Sequence, residues 1–95
     1  MSRSVSPEPL ARLLDLLGRR GALEVFHALE AGPLAERALV RRLPGFAPGT
    51  VSQRVEELRR LGAVEQVPES GQLRLSPPGR RLQGRLEELA AWAGE

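Results

Sequence analysis

Apolar residues recur along this chain at intervals of three and four in most stretches and alternate in two short ones, which predicts a mainly helical protein with one small hairpin. Leu10, Leu13, Leu14 and Leu17 form the first helical stripe. Ser6-Pro7-Glu8 ahead of it reads as a helix start, with Ser6 as cap and Pro7 at the first helical position, where its missing N–H is harmless; Gly18 ends the run. A second helix is predicted from Ala22 to Ala31, with Leu23, Phe26 and Leu29 inward and Gly32-Pro33 closing it. A third runs from Leu34 to Leu43, with Leu39 and Leu43 one turn apart, and stops at Pro44-Gly45. The fourth begins near Ala47 with Pro48 in its first turn, buries Val51, Val55 and Leu58, and ends at Leu61-Gly62. Ala63 to Val67 and Gln72 to Leu75 have strand character around Pro68-Glu69-Ser70-Gly71, a hairpin. Ser76-Pro77-Pro78 then caps a last helix, whose Leu82, Leu86, Leu89 and Ala93 make one apolar stripe flanked by Trp92.

The third helix, the Leu43-Pro44-Gly45-Phe46-Ala47 turn and the fourth helix compose a helix-turn-helix. A hairpin directly after it predicts a winged helix-turn-helix fold, mainly α with a small β-hairpin, as one domain over residues 1–95. No internal repeat, linker or low-complexity tract interrupts it. At 95 residues the chain is near the lower end of what supports its own core, and its 41% apolar content is mostly Leu, Ala and Val, with Phe26, Phe46 and Trp92 as the aromatics. Burial against a second copy would add to that core. The N- and C-terminal helices, with matching leucine stripes, are the expected dimerisation elements.

Composition removes several chemistries. The absence of cysteine excludes disulfides, thiolate metal sites and thiol redox sensing by this chain. A single histidine, His27, sits mid-helix with no second ligand or nucleophile in its motif, so no metal or cofactor is expected and His27 reads as structural or incidental. No apolar run approaches the roughly 20 residues of a membrane span, and Met1 to Leu10 lacks the apolar core of a signal peptide, so a cytoplasmic, nucleoid-associated protein is expected. All fourteen basic residues are arginine, a bias that also suits a GC-rich genome. Their distribution matters more than the net +2: residues 1–34 carry four charges of each sign, whereas Leu73 to Arg85 holds Arg74, Arg80, Arg81 and Arg85 with no acid. Positive potential in the second half is what a phosphate-facing surface requires.

The order and spacing of Leu16-Leu17-Gly18, Gly32-Pro33, Arg41-Arg42-Leu43-Pro44-Gly45, Pro48, Thr50, Ser52-Gln53-Arg54, Glu57-Leu58, Gly62 and Ser76-Pro77-Pro78-Gly79-Arg80 resemble the HxlR-type winged-helix transcription regulators of bacteria and archaea. The likeness spans residues 8–92 and is strongest from Arg42 to Val64. It implies a dimer held by the terminal helices, the fourth helix in the major groove, and the hairpin near the backbone or minor groove. Glu8-Pro9 stands where many members have Cys-Pro, so the family's thiol sensor does not carry over. Gly21 replaces the tryptophan that usually opens the second helix, Glu36 replaces an aromatic residue early in the third, and the hairpin is shorter than the usual wing.

With Val51, Val55 and Leu58 inward, a rotation of about 100° per residue places Gly49, Gln53 and Arg60 on the far side, flanked by Thr50, Ser52, Glu56 and Glu57. A reading helix enters the major groove by its N-terminal part, which makes Pro48, Gly49, Thr50, Ser52, Gln53 and Arg54 the candidates for DNA contact. Gln53 suits adenine, Arg54 suits guanine or phosphate, and Thr50 and Ser52 can donate to phosphate or a base edge. The plain alternative for Thr50, Ser52 and Gln53 is a solvated helix face; for Arg54 it is an ion pair with Glu57 or a contact with the third helix. Arg74 on the hairpin, and Arg41 and Arg42 beside the turn, are candidate phosphate contacts, although arginines at a helix C-terminus are also favoured by the dipole. Arg80 and Arg81 suit either DNA backbone or solvent.

Leu10, Leu13, Leu14, Leu17, Leu82, Leu86, Leu89 and Trp92 are the expected dimer contacts; the alternative is plain core, since the two stripes can pack within a subunit as well as across a two-fold axis. Two reading heads about 34 Å apart would meet successive major grooves. The function expected is sequence-specific binding of a palindromic double-stranded DNA operator by a homodimeric repressor. The competing class is a winged-helix protein-interaction module without DNA binding, which Glu36, Glu56, Glu57 and the short wing favour. An enzyme finds no paired acid and base, phosphate loop or metal constellation, and no catalytic residue is assigned. No residue pattern specifies a small-molecule effector. A cavity among the first, second and last helices, opened by Gly21, is one location; neighbouring side chains filling that space are the alternative.

Overall fold

The computed structural model describes residues 7–94. Its elements are α1 (Pro7–Leu17), α2 (Ala22–Ala28), α3 (Glu36–Arg42), α4 (Pro48–Leu61), β1 (Val64–Gln66), β2 (Leu73–Leu75) and α5 (Pro77–Ala93), in the order that the apolar spacing predicts. The expected Ser6 cap lies outside the described residues. Val25, Phe26 and Leu29 from α2 and its C-terminus, Leu39 from α3, and Val51, Val55 and Leu58 from α4 form one buried cluster. Val64, Leu73 and Leu75 close it from the hairpin side. Removing this aliphatic surface from water is the main favourable term in folding a chain with so few aromatics.

Two helices are shorter than their apolar pattern predicts, for one shared reason. Leu34 belongs to the sheet: its N–H donates to the Leu73 carbonyl at 2.9 Å and its carbonyl accepts from the Leu73 N–H at 2.8 Å. Pro33 just before it has a fixed φ that suits extended backbone and no N–H to leave unpaired. The chain therefore leaves α2 after Ala28, not Ala31, through successive tight turns (Glu30 N–H to His27 carbonyl, Gly32 N–H to Leu29 carbonyl), and α3 starts at Glu36, not Leu34. Periodicity cannot register this bridge, because Leu34 is apolar in either role.

The hairpin is antiparallel, with Val64 opposite Leu75, Glu65 opposite Arg74 and Gln66 opposite Leu73. On β2, Leu73 and Leu75 are buried with Arg74 half-buried between them, the alternation of a half-buried ribbon; on β1, Val64 is buried, while Gln66, two residues on and on the same face, is exposed. Both strands are shorter than predicted, but the Val67 N–H still donates to the Gln72 carbonyl at 2.7 Å before the turn.

The passage from α4 to the hairpin and on to α5 is closely tied. Gly62 has φ +88°, the Gly62 N–H reaches the Arg59 carbonyl at 2.9 Å, and the Ala63 N–H reaches the Leu58 carbonyl at 3.0 Å, a Schellman stop. Ser76 caps α5 as predicted, accepting from the Gly79 N–H at 3.0 Å, and its hydroxyl donates to the Gly62 carbonyl. The Ser76 N–H donates to the Ala63 carbonyl at 3.0 Å. Gly79 lies against this same carbonyl, so close that a Cβ on it would stand 2.0 Å from the Ala63 oxygen.

The terminal helices dock on different parts of the chain, α1 on α2 and α5 on β2. Their leucine stripes divide accordingly. Leu17, expected as a dimer contact, is instead buried within the chain, and Leu82 and Leu86 are half-buried against the core, because each sits on the turn nearest its docking partner. Leu13 is half-buried. Leu10, Leu14, Leu89 and Trp92 stay exposed at 48%, 55%, 54% and 70%.

Gly79→Ala forces the first turn of α5 off the Ala63 backbone. Overpacking of this kind costs about 1–3 kcal/mol or more, and a backbone neighbour cannot yield, so urea denaturation should place the variant at or beyond the upper end.

Candidate nucleic-acid interface

The inward face of α4 fixes what its outward face presents. Val51, Val55 and Leu58 are buried at the predicted spacing, and Gly49, Gln53, Glu56 and Arg60 consequently point to solvent. The helix starts at Ala47 in extended conformation with Pro48 next, and no side chain caps it. Ala47 supplies its carbonyl to both Thr50 and Val51, at 2.9 and 3.1 Å. A Cβ on Gly49 would meet open space, so the tip is slim for lack of a side chain and nothing in the chain crowds it. An uncapped helix start with positive dipole favours an anion beside it.

The candidates on this tip divide by what already holds them. Gln53 is exposed with no hydrogen-bond partner among the described residues, and Thr50 is half-buried beside it. Ser52 is half-buried, and its Oγ donates to Glu36 Oε2 at 2.7 Å, which anchors the tip to α3. Arg54 takes the alternative left open for it. Its side chain is 13% exposed, Nη1 meets Glu57 Oε1 at 2.8 Å, and Nε donates to the Arg20 carbonyl at 2.8 Å. A guanidinium so placed braces the inner flank of α4, and its position next to buried Val55 accounts for it.

The arginines also sort by partner. Arg74 pairs with Glu65 at 2.7 Å directly across the hairpin, so the acid missing from its own segment comes from the neighbouring strand. Arg80 donates to the Leu75 carbonyl at 3.2 Å, Arg85 pairs with Glu88, and Arg60 pairs with Glu56. Arg41 and Arg42 at the end of α3 are exposed and have no acidic partner among the described residues. The same is true of Arg37, Arg59 and Arg81. Arg37, which the sequence reading passes over, is one turn from Arg41 on α3; that i, i+4 spacing was the available signal. Three of these five lie on α3 and none on the hairpin, whose turn carries Glu69 and no arginine.

Gly21 does not open a cavity. It adopts φ +92°, and a Cβ there would lie 3.5 Å from both Arg54 Cγ and Phe46 Cδ1, the side chains that occupy the space. An apolar groove of about 350 Å³ lies elsewhere, between α2 and α5, walled by Leu23, Phe26, Leu86 and Leu89 with Glu30 and Glu87 at its edge. No group of three or more possible metal-ligating side chains occurs among the described residues, and no helix among them is long and apolar enough to cross a membrane.

A helix-turn-helix whose second helix runs into a two-stranded wing and a closing helix is the winged-helix fold. No protein-family model matches the chain, and no curated protein matches it in sequence. Solved structures do. The quinone-bound form of YodB from B. subtilis superposes with a TM-score of 0.82 at 26% identity, covering 94% of this chain and 98% of that one. The reduced form of the same transcriptional regulator gives 0.80 at 26%, covering 95% and 92%. A MarR-family transcriptional regulator from Enterococcus faecalis V583 gives 0.82 at 21%, covering 99% and 90%, a likeness of fold alone. The winged-helix fold of this chain is thus one that solved transcription regulators share over 94% or more of its length.

The two faces of α4 predict opposite responses. Leu58→Ala should lower unfolding stability by about 2–5 kcal/mol, whereas Gln53→Ala should stay within about 0.5 kcal/mol of the parent, both read from urea or thermal unfolding.

Proposed function

We propose that this chain is a sequence-specific, double-stranded DNA-binding transcription regulator, a repressor that acts by occupying an operator. The observation that carries the reading is the bare tip of α4: Gly49, Thr50 and Gln53 stand at an uncapped helix start, with the unpaired Arg37, Arg41 and Arg42 of α3 on the preceding element. In this reading the tip enters the major groove, Gln53 reads a base edge, and the α3 arginines hold phosphates. Pro48 and Ser52 shape and anchor the tip, Arg54 braces it from behind, and Arg74 contributes only if DNA draws it from Glu65. The HxlR-type resemblance from Arg42 to Val64 and the match to YodB support the class. Binding of DNA, in the cytoplasm and at the nucleoid, replaces any catalytic role.

The regulator acts as a homodimer on a palindromic operator. Leu10 and Leu14 on α1 and Leu89 and Trp92 on α5 are large, exposed apolar side chains on helices that dock mainly on other elements, α1 on α2 and α5 on β2. Covering them with a second copy removes this surface from water and places two reading tips on one face. Leu14→Glu with Leu89→Glu should convert the protein to a monomer in sedimentation equilibrium while the far-ultraviolet spectrum stays helical.

Selection of bound sequences from a random DNA pool, followed by gel shift, tests the reading. A palindrome should emerge. Gln53→Ala should lose about 1–3 kcal/mol of discrimination at one base position, and Arg41→Ala should weaken all sequences evenly while reducing the salt slope by about 1. Affinity that stays weak at low salt, where released counterions favour binding, would leave the protein-interaction module as the better reading.

A further inference from the structure

The turn between α1 and α2 is fastened to the flank of α4 by ionic contacts that base reading does not use. Glu57 spends both carboxylate oxygens on arginines from opposite sides. Arg19 Nη1 donates to Oε2 at 2.6 Å, and Arg54 Nη1 donates to Oε1 at 2.8 Å. Arg54 turns its Nε to the Arg20 carbonyl, and the Arg20 guanidinium lies 5.0 Å from the centre of the Phe46 ring, in the turn that leads into α4. Arg19 also meets Asp15 in the last turns of α1, at 3.4 Å. The residues concerned therefore link α1, the turn after it, the α3–α4 turn and the middle of α4.

This cluster differs from the ion pairs that stay within one helix. Arg12–Glu8, Arg60–Glu56 and Arg85–Glu88 join neighbours on one exposed helix surface, where screening leaves them little weight. Glu57 and Arg54 are only 15% and 13% exposed, and Arg19 reaches Glu57 from 38 residues away in sequence. Charges withdrawn from water gain most where every lone pair has a donor, and they hold direction as well as distance, which apolar contacts do not. Gly21 supports the arrangement, since its φ of +92° turns the backbone so that the Arg20 carbonyl meets Arg54.

We propose that Glu57 is a positioning residue: with Arg19 and Arg54 it locks α1 to α4 at one angle, and so sets the half-site spacing that the dimer accepts. The inference rests on the reading of α4 as the DNA-reading helix and of α1 as part of the dimer contact. If α1 lies on the two-fold axis and the tip of α4 lies in the groove, a lever joins them. α1 packs on α2 and α2 on α4, and the ionic cluster adds a direct tie from the turn after α1 to the flank of α4. A loosened joint leaves each tip competent to read its bases but lets the distance between two tips vary.

The test uses the full-length dimer and the palindrome selected by the parent protein. Gel shifts are run on that palindrome, on versions with the centre lengthened or shortened by single base pairs, and on an isolated half-site, with thermal unfolding measured alongside. The parent should prefer one spacing by about tenfold or more, since tips held about 34 Å apart fit only one register. Glu57→Gln and Arg19→Gln should bind the half-site within about threefold of the parent and lose most of the spacing preference, while Arg19→Lys, which keeps the charge, should retain it. Arg19 is the more exposed end of the cluster, so its variants report even if Glu57→Gln fails to fold. A spacing preference that survives in Arg19→Gln overturns the proposal, as does a half-site affinity lowered more than about tenfold at unchanged thermal stability, which would make the cluster part of the reading surface. A parent protein that binds none of the probes overturns the DNA-reading function itself, and the two failures are distinct.

Discussion

Burial of Val51, Val55 and Leu58 against Phe26, Leu39 and the hairpin is the contact on which the rest of this structure depends. α4 has no side-chain cap at its start and no acidic residue in its first turn, so local signals do little to hold it. Its stability comes from the apolar face, as is usual for helices of this length. Once that face is committed, the helix cannot rotate, and Gly49 and Gln53 are delivered to solvent at its N-terminal end. Exposure here is the complement of packing: Gln53 faces solvent because Val51 and Val55 do not.

Electrostatics then distinguishes residues that look alike in the sequence. Fourteen arginines on a chain without lysine suggest a uniformly basic surface. The fold divides them into braces and free charges. Arg54, Arg19 and Arg20 are drawn into contacts around Glu57 and Phe46, Arg74 is cancelled across the hairpin by Glu65, and Arg60 and Arg85 pair along their own helices. The arginines of α3 are left unpaired because its one acid, Glu36, faces Ser52 on α4. A modest net charge is thereby compatible with exposed arginines on α3 that have no acidic partner among the described residues.

The same close fit that stabilises the core limits how the wing and the last helix can move. Leu34 adds a bridge to the outer side of β2, Ser76 binds both Gly62 and Gly79, and Gly79 lies against the Ala63 carbonyl. The hairpin is therefore a short, fixed attachment to the end of α4. The terminal helices are the opposite case, each docked at one end with exposed leucines and Trp92 at the other.

The amino-acid sequence alone determined the order of the elements, the Pro-Gly turn, the Ser76 cap and the inward face of α4, because each is written in residues three or four positions apart or in a residue's own backbone preference. It could not separate Leu34 in a strand from Leu34 in a helix, since an apolar residue serves either. It left Arg54 between base and brace, and Leu17 between core and dimer contact. Only the tertiary structure decided these, by bringing Leu73 to Leu34, Glu57 and the Arg20 carbonyl to Arg54, and α2 to the end of α1. A partner that lies tens of residues away leaves no periodic trace, and hydrogen bonding or burial by that partner is what assigns each side chain its role.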